Sequence, residues 1–515
     1  MQLLKQILIT GRGRPAALFV LLWSLTLNIL TELPPSWTPL HKPWSLVTEY
    51  FGSPFASGRH LLFDGYQKEH PREPRSQPVT IVAIDEKSLQ AFGQWPWPRY
   101  RLAELIQALA QHQPAAVGLD LYMPEFDQTS PGQVAKGLKS EHRALAQQLE
   151  RLPSNETVLA QSFRQVPTVL SAAGFDHPAY TTSAGMRTWP VQVDGADKLP
   201  DFSRRFEQVL ASLPELQAAA IGQALVSVDL ENGLVRHVPL VMSLADQAVP
   251  SLALEMFRVA TGSAAVQVQV NDRGIASVGV ADLTVPTRPQ GSIPLHFAKH
   301  KTMASRYVSA SDVIQGQVDP QMLSGKLVLL GLTGSGLSDM RTTAIGETVP
   351  GIEIQAQVIE SLFDGRILQR PHWFKWAETL ALLLVGGVLI WYVPRPHSIL
   401  ATYLRKVPKS SLWLTLATNS LIIWVGFQIF IHTGMLFDAA SFFLIISAVM
   451  GSLISTVLAE IDNLKKSQDD ARHEEALQQA RIDGERTILA SLNTSEPSPA
   501  DANAFHFSAD QEIRT

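Results

Sequence analysis

The sequence predicts an α/β extracytoplasmic domain, a sandwich around a mixed, mostly parallel sheet, attached to four transmembrane α-helices. Long apolar runs lie near both ends of the 515 residues, and the stretch between them alternates β-rich runs with amphipathic ones. The formal charge of -5 argues against nucleic acid as a partner, and the lack of cysteine excludes disulfides and thiolate metal sites.

The first apolar run covers residues 16–33 and follows a basic segment. Its apolar part is longer than the core of roughly 7–15 residues in a signal peptide, and no small-x-small cleavage motif precedes Thr31. We therefore expect residues 16–33 to be a retained transmembrane anchor, with residues 1–15 in the cytoplasm.

Three further runs, at residues 374–393, 411–431 and 435–458, each approach the roughly 20 residues that cross a bilayer. The loop 394–410 is rich in Arg and Lys, whereas the short link after residue 431 has neither. The positive-inside rule then places this loop and both termini in the cytoplasm. Residues 34–373 are expected outside, and residues 459–515 form a cytoplasmic tail.

Four polar residues lie within or beside these runs, namely Asn28, Glu378, Asn419 and Asp438. An ion or proton path is one interpretation, because ionisable groups in hydrocarbon are costly. The interpretation we favour has headgroups solvating the two acids near the outer ends of their spans. The asparagines then form hydrogen bonds between helices.

The outer region begins with a βαβ pattern in which two buried apolar runs flank an amphipathic stretch. Later runs give more strands in the middle, so we expect an antiparallel part or an inserted subdomain there. The predicted strands are 79–85, 115–120, 168–172, 237–243, 266–270, 292–297 and 326–332, and the predicted helices are 101–112, 135–151, 251–261 and 352–363.

Several blocks of this region carry a family resemblance. They are residues 81–89 (IVAIDEKSL), 95–99 (WPWPR), 117–120 (VGLD), 325–339 (GKLVLLGLTGSGLSD) and 349–355 (VPGIEIQ). Together they resemble the type 2 CHASE domain, an extracytoplasmic sensor module of histidine kinases, nucleotide cyclases and related receptors. The resemblance spans about residues 45–372 and implies a sensor in a bacterial inner membrane. Residues 459–515 are too few for a kinase or cyclase domain, which departs from those receptors.

Three aspartates follow predicted parallel strands, the edge where open α/β sheets place ligands: Asp85, Asp120 and Asp339. If they converge, Mg²⁺ or Ca²⁺ is a possible ligand, with Glu125 or Glu353 as a further donor. The alternative is that they cap loop and helix amides, as aspartate commonly does after a strand.

The glycine-rich loop with Thr333, Gly334 and Gly336 can cradle an anion on its amides or simply form a tight turn, and it lacks the lysine of a P-loop.

The block containing Trp95, Trp97 and Arg99 is stiff and amphipathic because prolines alternate with aromatics. It can form a ligand wall or a dimer contact. Equally, the tryptophans can cover the end of the sheet while Arg99 pairs with one of the carboxylates. No hydrolase motif is present, and we expect neither catalysis nor a cofactor.

In the tail, residues 461–492 show a weak heptad pattern that predicts either a loose coiled coil or a solvated helix, and we expect disorder beyond Asn493.

The resulting functional hypothesis is a sensor or adaptor that binds a signal outside and passes it through its membrane helices to a separate protein. By analogy with similar receptors, we expect a homodimer. One alternative is a structural subunit whose outer domain is an assembly platform. Another is an extracytoplasmic metal-dependent hydrolase, which depends on the carboxylates alone.

Overall fold

The computed structural model describes residues 14–30, 41–179, 182–183, 185–188, 190–195, 199–227, 230–337, 339–394 and 410–493. The α-helices are α1 (Arg14–Leu30), α2 (His41–Glu69), α3 (Glu86–Phe92), α4 (Arg99–Gln111), α5 (Pro131–Gly137), α6 (Arg143–Glu150), α7 (Asn155–Phe163), α8 (Leu199–Phe202), α9 (Pro214–Ala219), α10 (Leu252–Thr261), α11 (Ala310–Ile314), α12 (Gly351–Phe363), α13 (His372–Tyr392), α14 (Ser410–Thr433) and α15 (Ala439–Asn493).

The strands form one large sheet and four small ones. They are β1 (Val79–Ile84), β2 (Ala116–Asp120), β3 (Thr168–Phe175), β4 (Val191–Asp194), β5 (Arg205–Phe206), β6 (Gln208–Leu210), β7 (Gly222–Leu225), β8 (Leu230–Glu231), β9 (Leu234–Val235), β10 (His237–Pro239), β11 (Val241–Leu244), β12 (Gln247–Pro250), β13 (Val266–Asn271), β14 (Gly274–Val280), β15 (Leu283–Pro286), β16 (Ser292–Pro294), β17 (Tyr307–Ser309), β18 (Leu327–Leu332), β19 (Met340–Thr343) and β20 (Thr348–Pro350).

The large sheet has seven strands in the order β17-β1-β18-β2-β3, with β7 and β6 both paired to β3. All pairs are parallel except β3 with β6. Every residue of β1 is buried, as expected for a parallel strand covered on both faces. The predicted mixed, mostly parallel sheet is therefore confirmed.

Helices cover both faces of this sheet. Helices α4, α7, α9 and α11 contribute buried residues to a core on one face, and α10 and α12 contribute to the core on the other. The predicted strands β1 and β2 are present, but β18 lies between them. The crossover through α4 thus skips one position, which the local sequence pattern did not indicate.

The small sheets confirm the expected antiparallel region in the middle of the chain. Strands β13, β14 and β15 form a meander, to which β4 adds in parallel. A second group pairs β11 with β12 and β5, a third pairs β10 with β16, and a fourth has the order β20-β19-β9-β8.

Some predicted elements differ from the observed ones. The helix predicted at 135–151 is two helices, α5 and α6, because a 3₁₀ turn at Ser140–His142 separates them. The strand predicted at 237–243 is divided between β10 and β11, which pair with different strands. The strand predicted at 292–297 ends at Pro294.

Within the described residues, three helical segments are long and apolar enough to cross a membrane: Trp373–Tyr392, Leu412–Thr433 and Ala439–Thr456. They coincide with three of the four predicted spans, and that they cross a membrane stays a prediction. Helix α1 is apolar but shorter, and residues 31–33 of its predicted span lie outside the described residues. Its role as an anchor stays a prediction.

The chain divides into two compact units. One contains residues 22–385 and 412–447, including the large sheet. In the other, Arg14 donates to the carbonyl of Trp391 at 3.2 Å, and Leu21 packs directly over Gly386. This second unit also contains the tail part of α15, whose described side chains from residue 465 onward are exposed.

Candidate functional site

The carboxyl ends of β1, β18 and β2 lie side by side in the large sheet. Ile84 pairs with Leu332, and Asp120 pairs with Gly331. The amides of Thr333 and Gly334 both donate to the carbonyl of Ile84. The loops after these three strands therefore meet at one edge, as the sequence predicted.

Asp85 forms the N-cap of α3. Its Oδ1 accepts from the Ser88 amide at 2.9 Å and from the hydroxyls of Ser88 and Ser309 at 2.7 Å each. One oxygen thus ties the start of α3 to the end of β17. This is the capping geometry that we weighed against metal binding.

The glycine-rich loop after β18 is closed by its own chain. Glu86 accepts from the amide and the hydroxyl of Ser335 at 2.7 Å each, and Leu337 donates its amide to Gly334. Gly336 has φ +80°, a left-handed conformation that glycine adopts without strain. The amides of residues 333–335 thus have partners within the chain, and the carboxylate held here is that of Glu86.

Asp120 and Asp339 approach each other at this edge. Burial, together with repulsion from Asp339, raises the pKa of Asp120 to about 6. Arg341 binds Asp339 at 2.9 Å, so the exposed aspartate of the pair has a cationic partner. Asp120 has no such partner among the described residues, and its ionised form is therefore disfavoured.

No group of three or more His, Asp or Glu side chains within the described part of the chain is placed to hold a metal ion. Asp85, Asp120 and Asp339 do not form the shared cation site that was considered for them. Glu125 contributes its backbone carbonyl, which accepts from Arg99.

The tryptophan-proline block covers the end of the sheet. Trp97 is buried, donates its indole N–H to the Gly93 carbonyl at 2.9 Å and packs edge-on against Phe92. Trp95 is partly buried, with its ring 6.1 Å from that of Trp97. These contacts are those of a core element.

Arg99 pairs with a carboxylate that the sequence did not indicate. It donates to Glu156 Oε1 at 2.8 Å, and the same oxygen accepts from the amide of Asp127 at 2.6 Å. Burial raises the pKa of Glu156. Hydrogen bonds from the Asp127 amide and the Ser130 hydroxyl, together with the charge of Arg99, outweigh burial, so the pKa is lowered overall. The expected pairing with Asp85, Asp120 or Asp339 is not observed.

A cleft of about 540 Å³ lies beside the end of β18. Thr333, Ser335 and Gly336 form one wall of it, and Thr348 and Pro350 of β20, directly before α12, form another. The remaining lining residues are His300, Ala304, Tyr307 and Met340. Two of the predicted ligand-binding residues, Thr333 and Gly336, line this cleft.

Glu353, a third predicted residue, lies fully buried beneath the cleft. Its Oε1 accepts from Arg306 at 2.9 Å, and its Oε2 accepts the hydroxyl of Tyr307. His300 places Nδ1 at 3.7 Å from the same Oε2. Burial raises the pKa of Glu353, but His300, Arg306 and Tyr307 lower it overall. Glu353 thus joins the cleft wall to the interior.

From Glu353, a ladder of buried ion pairs follows α12, which we call the α12 ladder. Arg306 bridges Glu353 and Glu360 at 2.9 Å each, and Arg72 bridges Glu360 at 2.8 Å and Asp364 at 3.2 Å. At about 1.5 Å per helical residue it spans roughly 16 Å. It therefore connects the cleft to Arg72, which follows α2.

Asp364 also holds the segment before β1. Its carboxylate accepts from the amides of Arg75 and Ser76 at 3.1 Å each, and from the Ser76 hydroxyl at 2.6 Å. The far end of the α12 ladder is thus attached to the chain between α2 and β1.

Helix α2 in turn contacts α14 and the start of α15. Arg59 lies 3.4 Å from Asp438, and a Cβ added at Gly58 falls 3.3 Å from that of Ala440. The Tyr66 hydroxyl donates to the carbonyl of Ile423 in α14 at 3.1 Å. These contacts join the outer domain to α14 and α15.

The two acids near the ends of the apolar helices are buried and paired within the protein, which corrects our expectation of headgroup solvation. Glu378 is 5% exposed and binds Arg370 at 2.8 Å, while Asp438 is 1% exposed and also accepts from Ser441. The protein supplies opposite charges here because α2 and the end of the outer domain reach these positions.

The two asparagines form hydrogen bonds between helices, as expected. Asn419 donates to Ser447 at 2.8 Å, and Asn28 donates to Ser441 and accepts from Lys375 at 2.6 Å.

Sequence reasoning missed His300, Arg306, Tyr307, Arg72 and Glu360. A usable signal was present, since Glu353, Glu360 and Asp364 recur at helical spacing on a helix otherwise rich in apolar residues. Acids on a buried helix face require partners. The arginines that pair with these acids come from distant parts of the chain, so the pairing could not be predicted from the sequence.

Comparison with known families gives one match: a family model described as CHASE2 domain matches residues 44–391. Comparison with curated proteins gives no match. Comparison with solved structures gives none either.

Proposed function

Because the chain belongs to the CHASE2 domain family, a family of extracytoplasmic sensor domains, we propose that it is a multi-pass sensor of a bacterial inner membrane. The signal is detected outside and relayed by the membrane helices to a separate protein. The sensory role follows from the family, and the apolar helices make the chain a membrane protein. The relay and its recipient are the proposed part.

One observation carries this proposal: Arg59 of α2 is paired with Asp438 directly before α15, and both are buried. Breaking such a pair leaves an uncompensated charge, so the two elements favour moving together. Arg72, only three residues beyond α2, belongs to the α12 ladder. A shift at the cleft therefore has a physical route to the membrane helices.

The proposed output is the C-terminal part of α15. The helix continues without a break from the membrane segment Ala439–Thr456 to Asn493. Its apolar side chains Leu477, Ile482 and Leu489 are exposed. A cytoplasmic protein that pairs with this helix suits such a surface.

Affinity purification from the native membrane tests the relay to a partner. The full chain and a chain lacking residues 461–515 are purified in parallel, and co-purifying proteins are identified. We expect a cytoplasmic protein that is lost with the tail. A stoichiometric partner retained without the tail contradicts the relay and supports an assembly platform instead.

A reversible disulfide tests whether the α2–α15 contact must move. The protein has no cysteine, so Gly58→Cys with Ala440→Cys creates a single defined pair, with a Cβ separation of 3.3 Å that lies just below the roughly 3.5–4.5 Å of native disulfides. We expect the oxidised and reduced forms to recover different amounts of the cytoplasmic protein that binds the tail. The control pair Gln269→Cys with Ser277→Cys locks facing residues within the β13–β14 hairpin and should change nothing. Equal recovery for the α2–α15 pair contradicts the proposed route.

A further inference from the structure

The cleft lies where the connections after neighbouring strands of the large sheet turn to opposite faces of the sheet. Strands β1 and β2 lead to α4 and α7 on one face, whereas β18 leads through β19 and β20 to α12 on the other. In open α/β sheets, ligands bind outside the carboxyl ends of strands at such a switch point. Thr333 and Ser335, which line the cleft, directly follow β18.

The lining of the cleft contains no carboxylate. Its ionisable members are His300 and Tyr307, and the hydroxyl of Tyr307 is already donated to Glu353. Burial raises the pKa of Tyr307, so that side chain stays neutral. The hydroxyl of Ser335 is likewise donated to Glu86, which leaves the hydroxyls of Thr333 and Thr348 as donors to a ligand. The wall therefore carries at most one charge, and it is positive.

His300 is held in place from several elements. Glu353 of α12 faces Nδ1 of His300. Glu347, in the turn before β20, accepts a hydrogen bond from the backbone amide of His300 at 2.7 Å. Arg306 and Tyr307 follow His300 in the chain. Interaction with Glu353 raises the pKa of His300, with Glu347 adding to the effect and burial and Arg306 opposing it. Its other ring nitrogen, Nε2, has no hydrogen-bond partner within the described residues and can donate to a ligand.

We propose that this cleft binds a small organic acid, with its carboxylate on His300 and the hydroxyls and its apolar part on Ala304, Met340 and Pro350. A monoanion matches the single cation of the wall, and charge-assisted hydrogen bonds are the strong ones. Met340 is 49% exposed, so an apolar group placed on it removes apolar surface from water. This inference deepens the proposed sensory role by giving the signal a chemical class.

Binding to the purified full chain in detergent tests the inference independently of the relay. The probes are benzoate, its neutral counterpart benzamide, and acetate, which lacks the apolar part. By calorimetry, we expect benzoate to bind on the order of tenfold more tightly than either of the others. Equal affinity for benzoate and benzamide, or no binding of benzoate at millimolar concentration, overturns the proposal.

Two histidine variants identify the contact. His300→Gln should weaken benzoate binding on the order of tenfold, since it removes the cation. His142→Gln, which changes an exposed histidine elsewhere, should leave binding unchanged. Benzoate affinity of the unmodified chain should also fall as pH rises through the raised pKa of His300. An unchanged affinity in His300→Gln overturns the assignment.

Should His300→Gln fail to fold, Thr348→Val on the opposite wall replaces it and should weaken benzoate binding while leaving the thermal midpoint unchanged. Undiminished binding in that variant counts against the cleft. If benzoate binds but does not alter recovery of the tail partner, the ligand site stands and the relay is wrong.

Discussion

Arg72 donates to Glu360 at 2.8 Å across 288 positions of sequence, and both side chains are 0% exposed. For a buried charge pair, replacing both partners and removing only one of them have very different energetic costs. Replacing both partners by apolar groups is often nearly neutral, whereas removing one leaves a buried charge without compensation. The α12 ladder therefore depends on every member being present.

Arg72→Met should destabilise the outer domain by about 3–5 kcal/mol, because Glu360 and Asp364 both lose a buried cation. The measurement is the thermal unfolding midpoint of the full chain in detergent. Glu207→Gln is the matched control. It breaks the exposed Arg205–Glu207 pair at 2.9 Å and should cost less than about 1 kcal/mol. Equal effects of the two variants contradict the ladder's importance.

Asp85→Ala should lower stability by about 1–2 kcal/mol, because two donors of Ser88 in α3 and the Ser309 hydroxyl at the end of β17 lose their acceptor. Asp85→Asn keeps a side-chain oxygen and should cost clearly less. Thermal midpoints of both variants at neutral pH provide the comparison. If the asparagine variant is as unstable as the alanine variant, the charge of Asp85 matters for a reason other than capping.

The Arg99–Glu156 pair predicts a loss of stability in acid. The pKa values of Glu156 and Asp127 lie below their ordinary 4.5 and 3.8 in the folded protein. Their contribution is therefore complete above those ordinary values and disappears as pH falls through the lower, folded ones. Unfolding midpoints measured against pH should fall steeply below about pH 4.

Glu156→Gln should be less stable than the unmodified chain at pH 7, and its dependence on pH should be shallower. The two curves should converge in acid. Parallel curves contradict the assignment of this acid sensitivity to Glu156.

Asp120→Asn should have the opposite effect and stabilise the protein at neutral pH by up to about 3 kcal/mol. The folded protein raises the pKa of this acid to about 6 from 3.8, so ionisation favours the unfolded chain. The gain should appear as pH rises from about 4 to 6 and then stay constant. A variant that is no more stable at pH 7.5 than at pH 4, relative to the unmodified chain, contradicts the raised pKa.

The strands were predictable where local composition decided the structure. The runs of β1 and β18 are continuous and predominantly apolar, as a strand buried on both faces requires, and that of β1 is also rich in β-branched residues. The order of these strands was not predictable, since β18 comes more than two hundred residues after β2 and inserts beside it. Pairing over such separations leaves no local pattern.

Helix α2 was not predictable, because its local sequence disfavours a helix. Its sequence contains Pro54 and the glycines at 52, 58 and 65, which disfavour a helix by intrinsic propensity. Gly58 lies where Ala440 approaches closely, and Tyr66 packs against Phe427 and Phe430. Tertiary packing against α14 and α15 thus outweighs local preference, and a single sequence does not display that packing.

The burial of the α12 ladder has a consequence for life outside the cytoplasm, where ionic strength follows the surroundings. Exposed charges separated by more than about 10 Å are largely screened at 0.1 M salt, but groups from which water is excluded are screened far less. A connection made of buried Arg–Glu pairs therefore keeps nearly the same strength in dilute and in salty media. If the proposed ligand binds in the cleft, its effect on the α12 ladder should therefore depend little on the surrounding salt concentration.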